Sequence, residues 1–227
     1  MTAKNDLKDY IKASHSKAIN NQKHMYLYDN IYVKDPLPED FDLNYVLQKI
    51  ETSIPDYLMS NVDSIYIGQF EEFLDRKVNA AYKDGALYIT NLQDDEDDMI
   101  DDVVHEIAHS IEEFAGNDIY GDGRVNDEFL GKRQKLFYLL KEEGYNVYLK
   151  DFLESNYSKE FDMFLYQEVG YELMTTLTMG LFVSPYSVTS LREYFATGFE
   201  KYYLKDRRYL KNISPILFEK IEYISSF

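Results

Sequence analysis

The first part of the chain carries short stretches with the apolar and polar pattern of β-strands. Residues 25–33 alternate between apolar and polar side chains, and residues 64–68 and 85–91 are short apolar runs bounded by turn-forming residues. Because the side chains of a strand point alternately to its two faces, these stretches predict strands. Residues 42–59 have a helical pattern instead, with a break expected at Pro55, since proline lacks an amide hydrogen.

Helical periodicity dominates the rest of the chain. The pattern predicts a weakly amphipathic helix over residues 4–22, helices over 127–143 and within 151–182, and a helical region from about 189 to the end, interrupted near Pro215. Strands therefore come early and helices late. That order predicts an α+β fold with a small sheet and a mostly helical C-terminal half.

The helix predicted over residues 99–114 has a continuous apolar side. Its members are spaced three, four or one residue apart: Ile100, Val103, Val104, Ile107 and Ile111. Asp97 or Asp98 is expected to cap its start, where an acidic run also suits the positive end of the helix dipole. Gly116 and Asn117 are expected to end it in a left-handed turn. The apolar side would anchor this helix and leave its other side to polar groups.

Composition and charge restrict the classes of function. The chain has 227 residues, 45% of them hydrophobic, which is enough to bury a core, and one domain over residues 1–227 is expected. A net charge of −17 argues against nucleic acid as a partner, because the chain would repel phosphate groups. The absence of cysteine excludes disulfide scaffolds and cysteine-ligated metals. No stretch predicts a signal peptide or a membrane span, so we expect no membrane partner and a protein that is cytoplasmic or packaged without a secretion signal.

The predicted helix contains the sequence His105-Glu106-Ile107-Ala108-His109, an HExxH motif. Residues four apart on a helix lie one turn apart on nearly the same side, so both imidazoles can bind one ion. Glu106 lies about 100° away around the helix, where it can act as a base on a nearby water without being a ligand. This is the pattern of a zinc-dependent hydrolase, which needs nitrogen ligands, an open coordination position and a base. The less favoured alternative is a chance spacing of two ordinary histidines.

A catalytic zinc site needs a third protein ligand. The metzincin pattern is excluded, because Ala115 stands where the third histidine of that pattern would be. A downstream glutamate is therefore expected, and three compete: Glu168, Glu172 and Glu193. Glu193 is favoured because it begins a helix with an apolar side that can hold a carboxylate rigidly. The other two are spaced four apart, which is more typical of a solvated helix face.

Two segments of the chain together resemble a known family. The run HEIAHSIEE, with Tyr186 placed seven residues before the segment that begins with Glu193 (EYFATGF), resembles the catalytic domain of anthrax lethal factor. It is similar also to the clostridial Pro-Pro endopeptidases. The resemblance covers residues 62–227 and implies a zincin-like metallopeptidase fold with one Zn²⁺ ion per chain.

The resemblance also implies the role of each site residue. His105, His109 and Glu193 would be the zinc ligands, Glu106 the general base and Tyr186 a catalytic assistant. The stretch from His109 to Glu193 is longer than the family usually shows, which implies a helical insertion over about 127–185. Residues 1–61 would be an N-terminal helical and strand elaboration of the catalytic core.

The sequence thus predicts a zinc metalloendopeptidase that acts on a protein or peptide substrate. The alternative is a non-catalytic binding or structural component of a larger assembly, although the intact Glu106 argues against it. Two placements stay open. The strand at 85–91 either pairs with an extended substrate or lies inside the sheet. Glu112 either orients a zinc-bound histidine or, as is more common for such charges, faces solvent.

Overall fold

A computed structural model of the protein describes residues 30–71, 73 and 78–226. The helix predicted over 4–22 and the beginning of the strand predicted over 25–33 lie outside the described residues. The structure is α+β, as predicted, with about 61% helix and a small mixed sheet.

Four short strands form the sheet: β1 (Ile31–Val33), β2 (Ser64–Ile67), β3 (Ala80–Lys83) and β4 (Ala86–Ile89). The strand order is β1-β2-β4-β3. The first three strands of that order are parallel, and β3 runs antiparallel to β4. Since β2 and β3 occupy the two edges of β4, the hypothesis that residues 85–91 pair with a substrate is wrong. Among the described strands, β3 is the edge on that side of the sheet.

Nine α-helices are present in the described part of the chain: α1 (Leu43–Ser53), α2 (Glu96–Tyr120), α3 (Arg124–Glu142), α4 (Leu149–Phe152), α5 (Lys159–Met163), α6 (Tyr171–Thr178), α7 (Leu191–Leu204), α8 (Arg207–Ile213) and α9 (Pro215–Ile224). Shorter elements are a π-helical segment (Phe164–Val169) and two 3₁₀ turns (Asp56–Met59 and Tyr186–Val188). The breaks expected at Pro55 and Pro215 are both confirmed. None of the described helices has the length and apolar character to cross a bilayer.

Helix α2 is longer at both ends than its sequence pattern predicts. Its cap is Asp95, whose side chain accepts a hydrogen bond from the amide of Asp98, so the predicted caps are wrong by two or three positions. The predicted end at Gly116 and Asn117 is also wrong, because α2 continues to Tyr120 and buries Ile119 completely. The left-handed glycine after this helix is Gly123 instead. Burial of one further apolar side chain therefore outweighs the local tendency of Gly116 to stop the helix.

The core lies on both sides of α2. The apolar side predicted from its sequence is confirmed, because all five residues are buried: Ile100, Val103, Val104, Ile107 and Ile111. Part of the apolar side of α2 packs, together with α1, on the inner face of the sheet. Helix α2 also packs against β3, α7 and α9. This central helix thereby joins the sheet to the C-terminal helices.

Glu128 on α3 holds the C-terminal helices together. Its carboxylate accepts hydrogen bonds from the hydroxyl of Tyr194 at 2.8 Å and from the amides of Ile216 and Leu217 at 2.9 and 3.1 Å. The two amides belong to the first turn of α9, where backbone N–H groups have no partner within the helix. One carboxylate on α3 therefore caps α9 and fixes a side chain of α7.

We predict that Glu128→Gln lowers the free energy of unfolding by about 2 kcal/mol, because the amide group replaces one charged acceptor oxygen with a donor. Urea denaturation measures the change. The matched control is Glu142→Gln on the same helix, at an exposed position, which should leave stability nearly unchanged. Equal stabilities of the two variants would contradict the capping role.

Candidate metal centre

Helices α2 and α7 carry all the side chains of the candidate site except Tyr186. His105, Glu106 and His109 lie in the middle of α2, and Glu193 lies in the first turn of α7. Ser190 caps α7 by accepting a hydrogen bond from the amide of Glu193. The capped turn therefore fixes the backbone from which the Glu193 carboxylate extends toward α2.

The two imidazoles converge on one oxygen of Glu193. The Nε2 atom of His105 lies 2.8 Å from Glu193 Oε2, and the Nε2 atom of His109 lies 3.6 Å from the same oxygen. Ligand atoms of the three residues all lie within 4.8 Å of one another. Two histidine nitrogens and a carboxylate oxygen are a usual donor set for zinc. These three residues can therefore hold a metal ion.

Electrostatics favours positive charge at the centre of this cluster. Burial, the largest effect, lowers the pKa of His105, but its hydrogen bonds to Glu193 and Glu200 outweigh burial and raise that pKa to about 10. The pKa of His109 is raised to about 9, since its bonds to Glu112 and Glu193 also outweigh burial. For Glu193, burial acts to raise the pKa, but the two histidines lower it well below its ordinary value. The carboxylate stays ionised and attracts cations.

Each histidine has a second carboxylate on its far side. His109 Nδ1 lies 2.9 Å from Glu112 Oε2, and His105 Nδ1 lies 3.5 Å from Glu200 Oε2. An Nδ1–H that bonds a carboxylate leaves the Nε2 lone pair free for a metal. The interpretation of Glu112 as a solvent-facing charge is wrong, because its side chain is only 8% exposed.

Glu106 is buried beside the cluster and held by the sheet. One of its oxygens, Oε2, accepts a hydrogen bond of 2.6 Å from the backbone amide of Tyr82 in β3. Burial raises the pKa of Glu106, and the two histidines and the amide only partly offset this effect. A carboxylate with a raised pKa that is fixed beside a metal site is suited to accept and return a proton.

Tyr186 lies beside the ring of His105. Its ring centroid is 6.1 Å from that of His105, and the residue is 41% exposed. Burial of the hydroxyl and the negative charge of Glu193 raise the pKa of Tyr186 far above its ordinary value. The hydroxyl therefore stays protonated and can act as a hydrogen-bond donor.

Neither of the competing third ligands belongs to this group of possible metal ligands. Glu168 lies in the π-helical segment and Glu172 at the start of α6, and both are exposed. In residues 30–71, 73 and 78–226, His105, His109 and Glu193 form the one group of three that can hold a metal ion. Of the alternatives considered for the third ligand, the structure brings Glu193 to the histidines.

No protein-family model matches the chain, and no curated protein or solved structure matches it. The resemblance to the lethal factor family remains a prediction.

Three residues of the site were missed by the sequence analysis. Glu200 lies seven residues after Glu193, which is two helical turns, so helical spacing could have placed it on the same side of α7. Arg192 immediately precedes Glu193 and bonds Glu112, but adjacency alone gives no signal for that contact. Tyr82 contributes a backbone amide, which no residue pattern can reveal.

We predict that the protein binds one Zn²⁺ ion per chain and that Glu193→Ala weakens binding by more than about 100-fold, beyond the range typical of residues that only support a ligand. Titration against a competing chelator measures the affinity. Glu172→Ala serves as the control and should bind zinc as the wild type does. Equal weakening by both substitutions would show that Glu193 is not a ligand.

Proposed function

We propose that this protein is a zinc-dependent metalloendopeptidase with a zincin-like fold. The observation that carries the proposal is the convergence of His105 and His109 Nε2 on one oxygen of Glu193, with the Glu106 carboxylate beside it. This combination of ligands and base supports a metal-assisted hydrolysis.

Bound zinc would polarise a water molecule and the carbonyl group of the scissile peptide bond. Glu106 would accept a proton from the attacking water as the oxygen–carbon bond forms. It then delivers the proton to the amide nitrogen as the carbon–nitrogen bond breaks, so that the amine leaves neutral. Because the Tyr82 amide holds Oε2, the other oxygen of Glu106 is the one available for this transfer.

Tyr186 serves as the hydrogen-bond donor in this proposal. Negative charge develops on the carbonyl oxygen during attack, and a protonated hydroxyl at the edge of the site can stabilise it. The raised pKa of Tyr186 keeps the proton on the hydroxyl at neutral pH. Its position beside His105 and its partial exposure suit a group that meets a substrate.

Strand β3 is suited to hold an extended peptide substrate. It is an edge strand of the described sheet, it packs against α2, and its Tyr82 amide contacts the proposed base. A peptide that adds to such an edge would run past the metal site with its backbone hydrogen-bonded. This position beside the metal-binding helix also supports the zincin-like assignment.

A non-catalytic zincin-fold component of a larger assembly is the alternative. Such a protein could keep the metal for stability. It would have no chemical need for a buried carboxylate beside the metal ligands, where burial costs free energy. The burial of Glu106, which is 8% exposed, therefore favours the enzyme.

We predict that Glu106→Gln keeps zinc affinity within about threefold but lowers peptide cleavage by about 10²–10⁴-fold, because the amide cannot accept the proton. The assay uses a mixed peptide library with product detection by mass spectrometry. Glu172→Gln is the control and should cleave as the wild type does. A zinc-loaded wild type that cleaves no peptide would favour the alternative, and full activity of Glu106→Gln would remove the proposed base.

We predict that Tyr186→Phe lowers kcat by about 10²–10³-fold with little change in KM, because the hydroxyl acts mainly when the oxyanion forms. Steady-state kinetics on a peptide from the library separates the two constants. The control is Tyr166→Phe, at a position that is 61% exposed. An unchanged kcat in Tyr186→Phe would show that this hydroxyl has no catalytic role.

A further inference from the structure

Three donors from two helices converge on the carboxylate of Glu112. His109 Nδ1 lies 2.9 Å and Arg192 Nε 2.8 Å from Oε2, and the hydroxyl of Tyr120 lies 2.6 Å from Oε1. The Glu112 side chain is only 8% exposed. A buried carboxylate of this kind is costly unless it is fully hydrogen-bonded, and here both oxygens have donors.

The donors restrict the orientation of His109. Tyr120 and Arg192 hold the carboxylate in place, so its bond to His109 Nδ1 also holds the imidazole ring. With the Nδ1 proton directed at Glu112, the Nε2 atom is the one that faces Glu193, and a metal that displaces the Nε2 proton meets its lone pair there. A ring held in this way needs no reorganisation when a metal binds.

Arg192 also connects the two helices that supply the metal ligands. It precedes Glu193 in the first turn of α7, whereas Glu112 is on α2, so their ion pair joins the segments that carry Glu193 and His109. The guanidinium also approaches His109 Nδ1, at 3.5 Å. This ion pair therefore adds a polar link to the apolar contact between the two helices.

We propose that Glu112 is a positioning residue of the metal centre, that it fixes the orientation of His109, and that Tyr120 and Arg192 hold it in place. The proposal rests on the proposed function for the presence of a metal, but it does not depend on peptide cleavage. Glu112 does not touch the metal position; it acts through His109.

Glu200 provides an internal comparison for this role. It contacts the other histidine, but at 3.5 Å rather than 2.9 Å, and its side chain is 25% exposed rather than 8%. A longer and more exposed contact restricts a ring less. Glu112 should therefore matter more than Glu200 to metal affinity.

The experiment measures Zn²⁺ affinity by chelator competition, without any substrate. Glu112→Gln should weaken zinc binding by about 10–100-fold, and Glu200→Gln should weaken it less. The matched control is Glu113→Gln, which removes the same charge from the neighbouring, exposed position. It should change the affinity by less than about threefold, since exposed charges are screened.

A second readout separates positioning from general stabilisation. With Co²⁺ in place of zinc, the visible absorption bands report the geometry of the ligands. They should shift in Glu112→Gln and remain unchanged in Glu113→Gln. Tyr120→Phe removes only the supporting hydroxyl and should shift the bands in the same direction by a smaller amount, which provides a test even if Glu112→Gln does not fold.

The outcomes distinguish this proposal from the proposed function. The positioning role would be overturned if Glu112→Gln and Tyr120→Phe both keep the wild-type zinc affinity and an unchanged cobalt spectrum. The peptidase proposal would still stand in that case. A zinc-binding wild type that cleaves no peptide would end the peptidase proposal, while the affinity order of the variants still supports positioning. A wild type that binds no zinc would refute both.

Discussion

The crossing of α2 and α7 is the contact on which the candidate site depends. It places two imidazoles and a carboxylate in one buried cluster, where each group would be costly without the others. The apolar residues around it, such as Ala108 on α2 and Phe195 on α7, are completely buried and keep the helices at a fixed distance. Dense packing therefore serves the polar site directly, because a small shift between the helices would separate the histidines from Glu193.

Glutamates at least partly removed from solvent join the elements of this protein at two places. Glu112 connects α2 to α7, and Glu128 connects α3 to α7 and α9. In a chain with a net charge of −17, most carboxylates are repelled by their neighbours and favour solvent. Glu112 and Glu128 each accept from three donors, which fixes the geometry of the segments that supply the donors.

The parts of the structure that follow from helical periodicity could be predicted from the sequence. The buried side of α2, the shared side of His105 and His109, and the choice of Glu193 over Glu168 all follow from spacing and apolar neighbours. The end of α2 could not be predicted, because burial of Ile119 in the folded core overrides the local signal. The favoured interpretation of Glu112 as a solvent-facing charge was wrong for a similar reason, since its partner Arg192 lies far away in the sequence and only tertiary contacts bring the pair together.

The hydrogen bond from Tyr82 to Glu106 has a consequence for how this site can vary. The donor is the main-chain amide, so any amino acid other than proline at position 82 supplies it. The side chain at that position could therefore change while the Glu106 carboxylate keeps this hydrogen bond. Comparison of related sequences would not reveal the contact, except as an absence of proline from the strand.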